Sequence, residues 1–168
     1  ENCLNPLNHN TNGRETSNSA GISDSVLKFV VSSPEVLLVT TPDPSSITDS
    51  YSLLKILYQQ PEFEPQETKI RFVANKVASV EDGEALYEKM RLVVSKFLGG
   101  DLQYLGMVPL DLALERAVQK QQVVSLEAPS SNAARAFETL ADNLLYGEQK
   151  KAVVKKGISQ FFSNFLNR

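Results

Sequence analysis

Residues 35–57 read EVLLVTTPDPSSITDSYSLLKIL, and this stretch decides the fold of the chain. The run from Val36 to Val39 is apolar without alternation, which predicts a strand buried on both faces in a parallel sheet. Two prolines then end the strand, and Ser45 or Ser46 is predicted to cap a helix. The helix carries an apolar stripe made of Ile47, Tyr51, Leu53, Leu54, Leu57 and Tyr58. A strand, a loop and a helix form the first part of a βαβ unit.

The rest of the chain repeats this alternation of strands and helices. Apolar runs at 69–77 and 102–108 predict two further buried strands, with a long helix between them that ends at a pair of glycines. Residues 121–125 favour a fourth, edge-like strand, and Ser130, Ser131 and Asn132 are predicted to cap a last core helix. The sequence therefore predicts an α/β fold, a mostly parallel sheet of three or four strands with flanking helices.

Composition limits the classes of protein to which this chain can belong. A chain of 168 residues that is 42% hydrophobic can bury one sizeable core, and its net charge of −3 gives no sign of a nucleic-acid partner. The single cysteine and single histidine, Cys3 and His9, lie in a polar tail at 1–19 that we expect to be mobile. We therefore predict no disulfide framework, no metal site and no Ser-His-Asp or Cys-His catalytic group.

Four stretches of the chain resemble a known family. They are VLLVTTPDPSSITDSYSLLKIL at 36–57, FVANKV at 72–77, LGMVPLD at 105–111 and APSSNAARAFETLADNLL at 128–145. In this order and spacing they resemble the second half of a MinD/ParA-type ATPase, and within that family most closely the FlhG group of flagellar-number regulators. The resemblance implies an incomplete P-loop NTPase fold, with a partial MinD-like domain at 20–146.

The resemblance also implies a place for the base of a nucleotide. In the family, the residue that matches Asn75 faces adenine, and the segment that matches Pro109, Leu110 and Asp111 lies around the base, mostly through backbone contacts. Two plainer interpretations stay open. An asparagine after a strand is commonly a turn former, and the segment at 109–111 is compatible with an ordinary connecting loop.

The helix after the first strand would lie near a dimer or partner face in such a protein. By resemblance this face includes Ser46 and Asp49, although a solvated helix surface explains the same residues. Family members are ATP-dependent homodimers that move between the cytosol and the membrane. Their partners include the FlhF-type GTPase and components of the flagellar basal body.

One motif of the family is missing from this chain. No Gly-Lys pair followed by Ser or Thr occurs, so the loop that cradles phosphates is absent. Ser17, Asn18 and Ser19 stand where the family has an acidic ligand of Mg²⁺ and a glycine. We therefore predict that this chain alone does not hydrolyse ATP and that any nucleotide affinity is weak and directed at adenine. Alternatives are a non-catalytic interaction module derived from the fold, or a fragment of a related P-loop synthetase.

Residues 147–168 combine a lysine-rich linker with an amphipathic pattern. The apolar positions recur at helical spacing, which predicts a terminal helix with one apolar face. Packing of this face against the protein's own core remains an alternative to binding an anionic membrane surface. The chain has no apolar run of spanning length and no export signal, so we expect a cytoplasmic protein, peripheral at the inner face of the cell membrane. The predicted membrane residues are Ile158, Phe161, Phe162, Phe165 and Leu166, with Lys155 and Lys156 beside them.

Overall fold

The computed structural model describes residues 24–147, which form one parallel sheet with helices on both faces. The sheet has the order β1-β2-β3, with β1 at Glu35–Thr40, β2 at Lys69–Val77 and β3 at Gln103–Pro109. The helices are α1 Asp24–Val31, α2 Pro44–Tyr58, α3 Val80–Leu98, α4 Leu112–Gln119, α5 Val124–Glu127 and α6 Asn132–Tyr146. The predicted α/β class is confirmed. The predicted polar tail and almost all of the predicted terminal segment lie outside the described residues.

Helices α2 and α3 cover one face of the sheet. Helix α2 connects β1 to β2 and helix α3 connects β2 to β3, and both pairs of strands are parallel. Because such connections are right-handed and both run from β1 towards β3, the two helices lie on the same face of the sheet. Leu54 and Leu57 of α2 meet Phe72 of β2, together with Met90 and Val94 of α3. These side chains are almost fully buried and form the main core, which confirms the apolar stripe predicted for α2.

Helix α6 covers the opposite face, over β3 and the adjoining part of β2. Ala133 packs there with Val73, Leu105 and Val108. In the pairing of β2 with β3, Phe72 is aligned with Tyr104 but Val73 is aligned with Gly106. Leu105 is therefore an extra residue in β3, a β-bulge. The buried side chain of Asn143 donates its Nδ2–H to the carbonyl oxygen of Leu105 at 2.9 Å. This bond fixes α6 against the irregular point of the strand.

Strand β1 differs from its prediction in one respect. Leu38 and Thr40 are 4% and 0% exposed and face α2, whereas Leu37 and Val39 are 48% and 53% exposed. The prediction that β1 is buried on both faces is therefore wrong for the described residues. The physical reason is that α6 lies over β2 and β3 and leaves the same face of β1 uncovered. We call this uncovered surface, Leu37 and Val39, the bare face of β1.

Two local predictions also need correction. Helix α2 begins at Pro44 after the cap residue Asp43, not at Ser45 or Ser46, because proline is favourable at a first helical position. The predicted fourth strand at 121–125 is a turn that runs into α5. Its amides cannot join a sheet, since the N–H groups of Gln121 and Gln122 donate to carbonyls in the last turns of α4.

Candidate functional site

The polar and exposed residues that the resemblance singles out lie at one edge of the sheet. All three strands are parallel, so their carboxyl ends meet at this edge. The loop after β1, the end of β2 and the segment after β3 therefore come close together. Ligands of open α/β sheets bind outside the carboxyl ends of the strands, which makes this edge the candidate site.

Asn75 and Lys76 form an irregular end to β2. Asn75 is half-buried and aligned with Val108 of β3, and the next aligned pair joins Val77 to Pro109. Lys76 is thus an extra residue in β2, and its φ of 55° lies in the left-handed region. The Asn75 Oδ1 atom accepts a hydrogen bond from the Lys76 N–H at 3.0 Å. The side-chain oxygen therefore acts in a local turn, as the plainer interpretation predicted, while its Nδ2–H₂ group makes no hydrogen bond within the described residues.

The segment after β3 is tied to the end of β2. Pro109 is buried, and the Leu110 N–H donates to the Val77 carbonyl at 2.9 Å. The Leu110 side chain is 59% exposed at the same edge. Asn75, Pro109 and Leu110 therefore lie at the same edge of the sheet.

Asp111 has a structural task that its sequence position did not reveal. Its Oδ1 atom accepts the Ala113 N–H at 2.8 Å and its Oδ2 atom accepts the Ala133 N–H at 2.9 Å. One carboxylate thus satisfies free amides at the amino ends of α4 and α6, where negative charge is also favourable. Because Ala133 is distant in sequence, only the folded structure identifies this clamp.

The predicted dimer or partner face lies on the first turns of α2. The Ser46 hydroxyl accepts the Thr41 N–H at 3.0 Å, and the Thr41 hydroxyl donates to Asp43 at 2.8 Å. These bonds hold the loop between β1 and α2 closed. Asp49 is exposed on the helix surface. Ser46 and Asp49 therefore lie on the same element, but only Ser46 has a role within the fold.

This edge offers an amide donor and an exposed apolar side chain. An amide N–H₂ group at the edge can donate to a ring nitrogen of adenine, and an exposed leucine can pack on its face. The described residues contain no group of three or more His, Cys, Asp or Glu side chains able to hold a metal ion.

Tyr104 of β3 and Tyr87 of α3 pack together and have raised pKa values. Burial, followed by the charge of Glu84, raises the pKa of Tyr104 to about 12. Its hydroxyl has no hydrogen-bond partner in residues 24–147 and lies where a β-carbon on Gly83 would approach to 2.9 Å. Burial likewise raises the pKa of Tyr87, whose ring packs on Tyr104 with centroids 4.9 Å apart. These tyrosines belong to the core.

The membrane residues predicted at 155–166 lie outside the described part of the chain, so they stay a prediction. Within that part, none of the helices combines the length and apolar character needed to cross a bilayer.

Comparison with known proteins gives relatives in sequence and in structure, although no family model matches. The chain is 40% identical over 126 residues to the antiactivator FleN of Pseudomonas aeruginosa. This match covers 75% of this chain and 44% of FleN. It is 30% identical over 150 residues to the flagellum site-determining protein YlxH of Helicobacter pylori, covering 88% and 49%.

The structural neighbours include septum site-determining and cell-division ATPases. MinD of Pyrococcus horikoshii, solved with Mg-ADP, superposes with a TM-score of 0.54 at 22% identity, covering 75% of this chain and 47% of MinD. MinD of Pyrococcus furiosus gives a TM-score of 0.54 at 25% identity, covering 74% and 47%.

The order of strands and helices is therefore that of an incomplete P-loop NTPase fold. The chain spans about half the length of the curated relatives that it matches. Sequence and structure agree in the assignment, and the chain belongs to the MinD/ParA-type family, with its relatives among the flagellar regulators of the FlhG group.

Proposed function

We propose that this chain supplies the base-binding side of an FlhG-type ATP-dependent switch that regulates the number or placement of flagella. The observation that carries the proposal is the 40% identity to FleN over 126 residues of the chain. The flagellar name of YlxH and the Mg-ADP bound to a MinD neighbour support it. The roles of single residues are inferred from this family membership together with the geometry of the carboxyl edge of the sheet.

In the proposed site, Asn75 recognises the base and the Pro109–Leu110 segment packs against it. The Asn75 Nδ2–H₂ group donates to the base, while the Oδ1 atom keeps its bond to the Lys76 N–H. Asp111 acts by holding α4 and α6 in place, because both of its oxygens are engaged by backbone amides. Bound ATP would supply the γ-phosphate whose presence or loss separates the two states of such a switch.

The substitution Asn75→Asp tests the base site without removing the turn. A carboxylate oxygen still accepts the Lys76 N–H, but the donor to the base is lost. We expect adenosine to bind the unchanged chain at roughly millimolar strength, about −4 kcal/mol, and to lose measurable binding to the variant. NMR titration gives the affinity, and thermal unfolding checks that the fold is kept. Equal adenosine binding by both proteins would refute the role of Asn75.

We propose that this chain by itself does not hydrolyse ATP. It has no Gly-Lys-Ser or Gly-Lys-Thr sequence, so the backbone amides and lysine that neutralise a transferring phosphoryl group are missing from it. In the family these parts belong to the first half of the protein, and Ser17 stands where the acidic ligand of Mg²⁺ is expected. Steady-state release of phosphate that exceeds the buffer blank and is abolished by EDTA would contradict this proposal.

The bare face of β1 supports the idea that this domain is one half of a larger sheet. We propose that the phosphate-loop strand of a complete family member pairs along the outer edge of β1 and that a helix covers Leu37 and Val39. The homodimer contact would use the α2 face that contains Ser46 and Asp49. An FlhF-type GTPase and flagellar basal-body components are the proposed partners.

The terminal segment is proposed to bind the inner face of the cell membrane. Its lysines would attract anionic lipid, at about 1 kcal/mol each near the surface, and its apolar face would enter the interface. One copy would bind reversibly, and dimerisation would strengthen binding by avidity. The proposed location is therefore the cytoplasm, peripherally at the inner face of the cell membrane.

A non-catalytic interaction module is the second candidate function. It is favoured by the hydrogen bonds that Asn75 Oδ1, the Ser46 hydroxyl and both Asp111 oxygens accept from backbone N–H groups of the chain. These bonds give each of the three side chains a structural role that does not require a ligand. Adenosine titration separates the two functions, because the module has no reason to retain a base site. Binding that Asn75→Asp abolishes would support the switch.

A further inference from the structure

A cleft opens at the amino edge of the sheet, at the other end of the strands from the candidate site. Pro34 and Thr68, the residues just before β1 and β2, line it. Within residues 24–147, two adjoining cavities of about 530 and 260 Å³ share Val31, Ser32 and Glu62 in their linings. One wall is the last part of α1, and the other is the segment between α2 and β2. The cavities therefore form one continuous cleft, which we call the amino-edge cleft.

The amino-edge cleft combines an apolar wall with a negatively charged rim. Leu27 and Val31 of α1 form the apolar wall. The carboxyl end of α1 also points here, and its dipole is negative at that end. Among the described residues, the charged side chains in the lining are three exposed glutamates and one lysine, namely Glu62, Glu64, Glu67 and Lys28. A peptide that suits this cleft therefore carries several positive charges around a short apolar centre.

The sequence that follows the described residues has this pattern. Residues 150–156 read KKAVVKK, with two lysines on each side of Ala152, Val153 and Val154. Residues 1–23, which precede α1, contain one arginine and two glutamates and so offer no comparable positive charge. Charge complementarity thus selects residues 150–156 among the parts of the chain outside the described residues.

Helix α6 ends near enough for this segment to reach the cleft. It runs antiparallel to β3, because its first turn bonds to the residue that caps α4 whereas Asn143, near its end, bonds to Leu105 near the start of β3. Gly147 therefore lies at the amino edge. From there the path to the cleft crosses two strand spacings and the depth of the sheet with its helices, a direct distance of about 22 Å. The eight residues from Gly147 to Lys155 span up to about 26 Å when extended.

We propose that the amino-edge cleft binds the KKAVVKK segment of the same chain. In this contact the lysines meet the three glutamates, and Val153 and Val154 meet the wall formed by Leu27 and Val31. Because the glutamates are exposed, each ion pair is weak and is screened by salt. Attachment through α6 offsets this weakness, since it keeps the segment at a high effective concentration. The contact needs neither nucleotide nor lipid, so its test is independent of the proposed function.

The experiment follows the backbone amides of residues 152–154 in the full chain by NMR relaxation, without nucleotide or lipid. At low ionic strength their order parameters should exceed about 0.6, and salt at about 0.5 M should lower them below this value. The variant Glu62→Gln/Glu64→Gln/Glu67→Gln should release the segment in the same way at low salt, because it removes the negative rim.

A matched variant removes the same number of charges from another surface. Glu115→Gln/Glu127→Gln/Glu138→Gln changes three exposed glutamates on α4, α5 and α6 and should leave the segment bound. Both triple variants should melt at similar temperatures, since all six side chains are exposed.

The reciprocal change tests the contact from the side of the segment. Loss of its four positive charges should move the amide resonances of Val31 and Thr68, which line the cleft. The variant for this measurement is Lys150→Gln/Lys151→Gln/Lys155→Gln/Lys156→Gln.

Each remaining outcome overturns the proposal. Order parameters below about 0.6 in the unchanged chain at low salt would show that the segment is not bound. Equal release by the two triple variants would mean that the attraction belongs to the whole surface and not to the cleft. Unmoved resonances of Val31 and Thr68 in the lysine variant would place the segment elsewhere. Release on dilution would show that a second copy supplies the segment.

Discussion

Two neighbouring leucines on β1 offer a matched test of the bare face. Leu37 and Leu38 are the same residue type on the same strand, but their exposed fractions are 48% and 4%. Leu38 packs into the core formed with α2 and α3, whereas Leu37 points to the face that α6 leaves uncovered. Replacing each by alanine therefore removes the same atoms from two different environments.

The expected costs follow from burial. Leu38→Ala leaves a cavity in a packed core, which costs about 3 kcal/mol within a range of about 2–5. Leu37→Ala removes a side chain that is about half buried and faces solvent, so no cavity forms. The cost is then only the lost free energy of transfer from water, about 1 kcal/mol. Urea unfolding of both variants should therefore give free energies that differ by about 2 kcal/mol with the same m-value.

A second set of measurements controls for association. Unfolding is repeated over a wide range of protein concentration, because a second copy on the bare face would make the cost of Leu37→Ala depend on concentration. If Leu37→Ala costs as much as Leu38→Ala at every concentration, the face is covered in the isolated chain and our description of β1 is wrong. The proposed docking of a phosphate-loop half would then lose its structural support.

Three further predictions concern the clamp, the core tyrosine and the terminal segment. Asp111→Ala removes both backbone bonds and should lower the free energy of unfolding by about 2–3 kcal/mol in urea, with Asp111→Asn costing less; no loss in either variant would contradict the clamp. Burial raises the pKa of Tyr104 from 10.0 to about 12, so the unfolded chain ionises it first and stability falls across that pH range. Tyr104→Phe should keep or raise the free energy of unfolding, because it deletes a hydroxyl that has no partner in residues 24–147. Unfolding of this variant at rising pH should lack this part of the alkaline loss, and a spectrophotometric titration of the unchanged chain checks the pKa itself. In co-sedimentation with anionic vesicles the intact chain should pellet and Phe161→Glu/Phe165→Glu should stay in the supernatant; equal pelleting would refute the membrane helix.

Local patterns predicted most of the described elements because they depend on neighbouring residues. The bounds of β2 at Lys69–Val77 and the glycine that ends α3 follow from apolar runs and from the left-handed backbone that Gly99 adopts. Long-range contacts escaped prediction. The Asp111 clamp and the Asn143 bond to Leu105 join residues that no periodicity connects. Lys76 was missed because a bulge is set by the burial of Val77 and not by the lysine itself.

The failed prediction for β1 is itself informative about the architecture. An apolar run without alternation is typical of a central parallel strand, yet β1 lies at the edge of the described sheet, with one face uncovered. Its sequence therefore suits a larger sheet, in agreement with relatives about twice as long. The proposed base residues lie at the ends of β2 and β3, away from the outer edge of β1 where the phosphate-loop half is proposed to dock. Recognition of the base and chemistry on the phosphates would thus belong to different halves of the sheet, so the two proposals can be tested separately, by adenosine titration and by phosphate release.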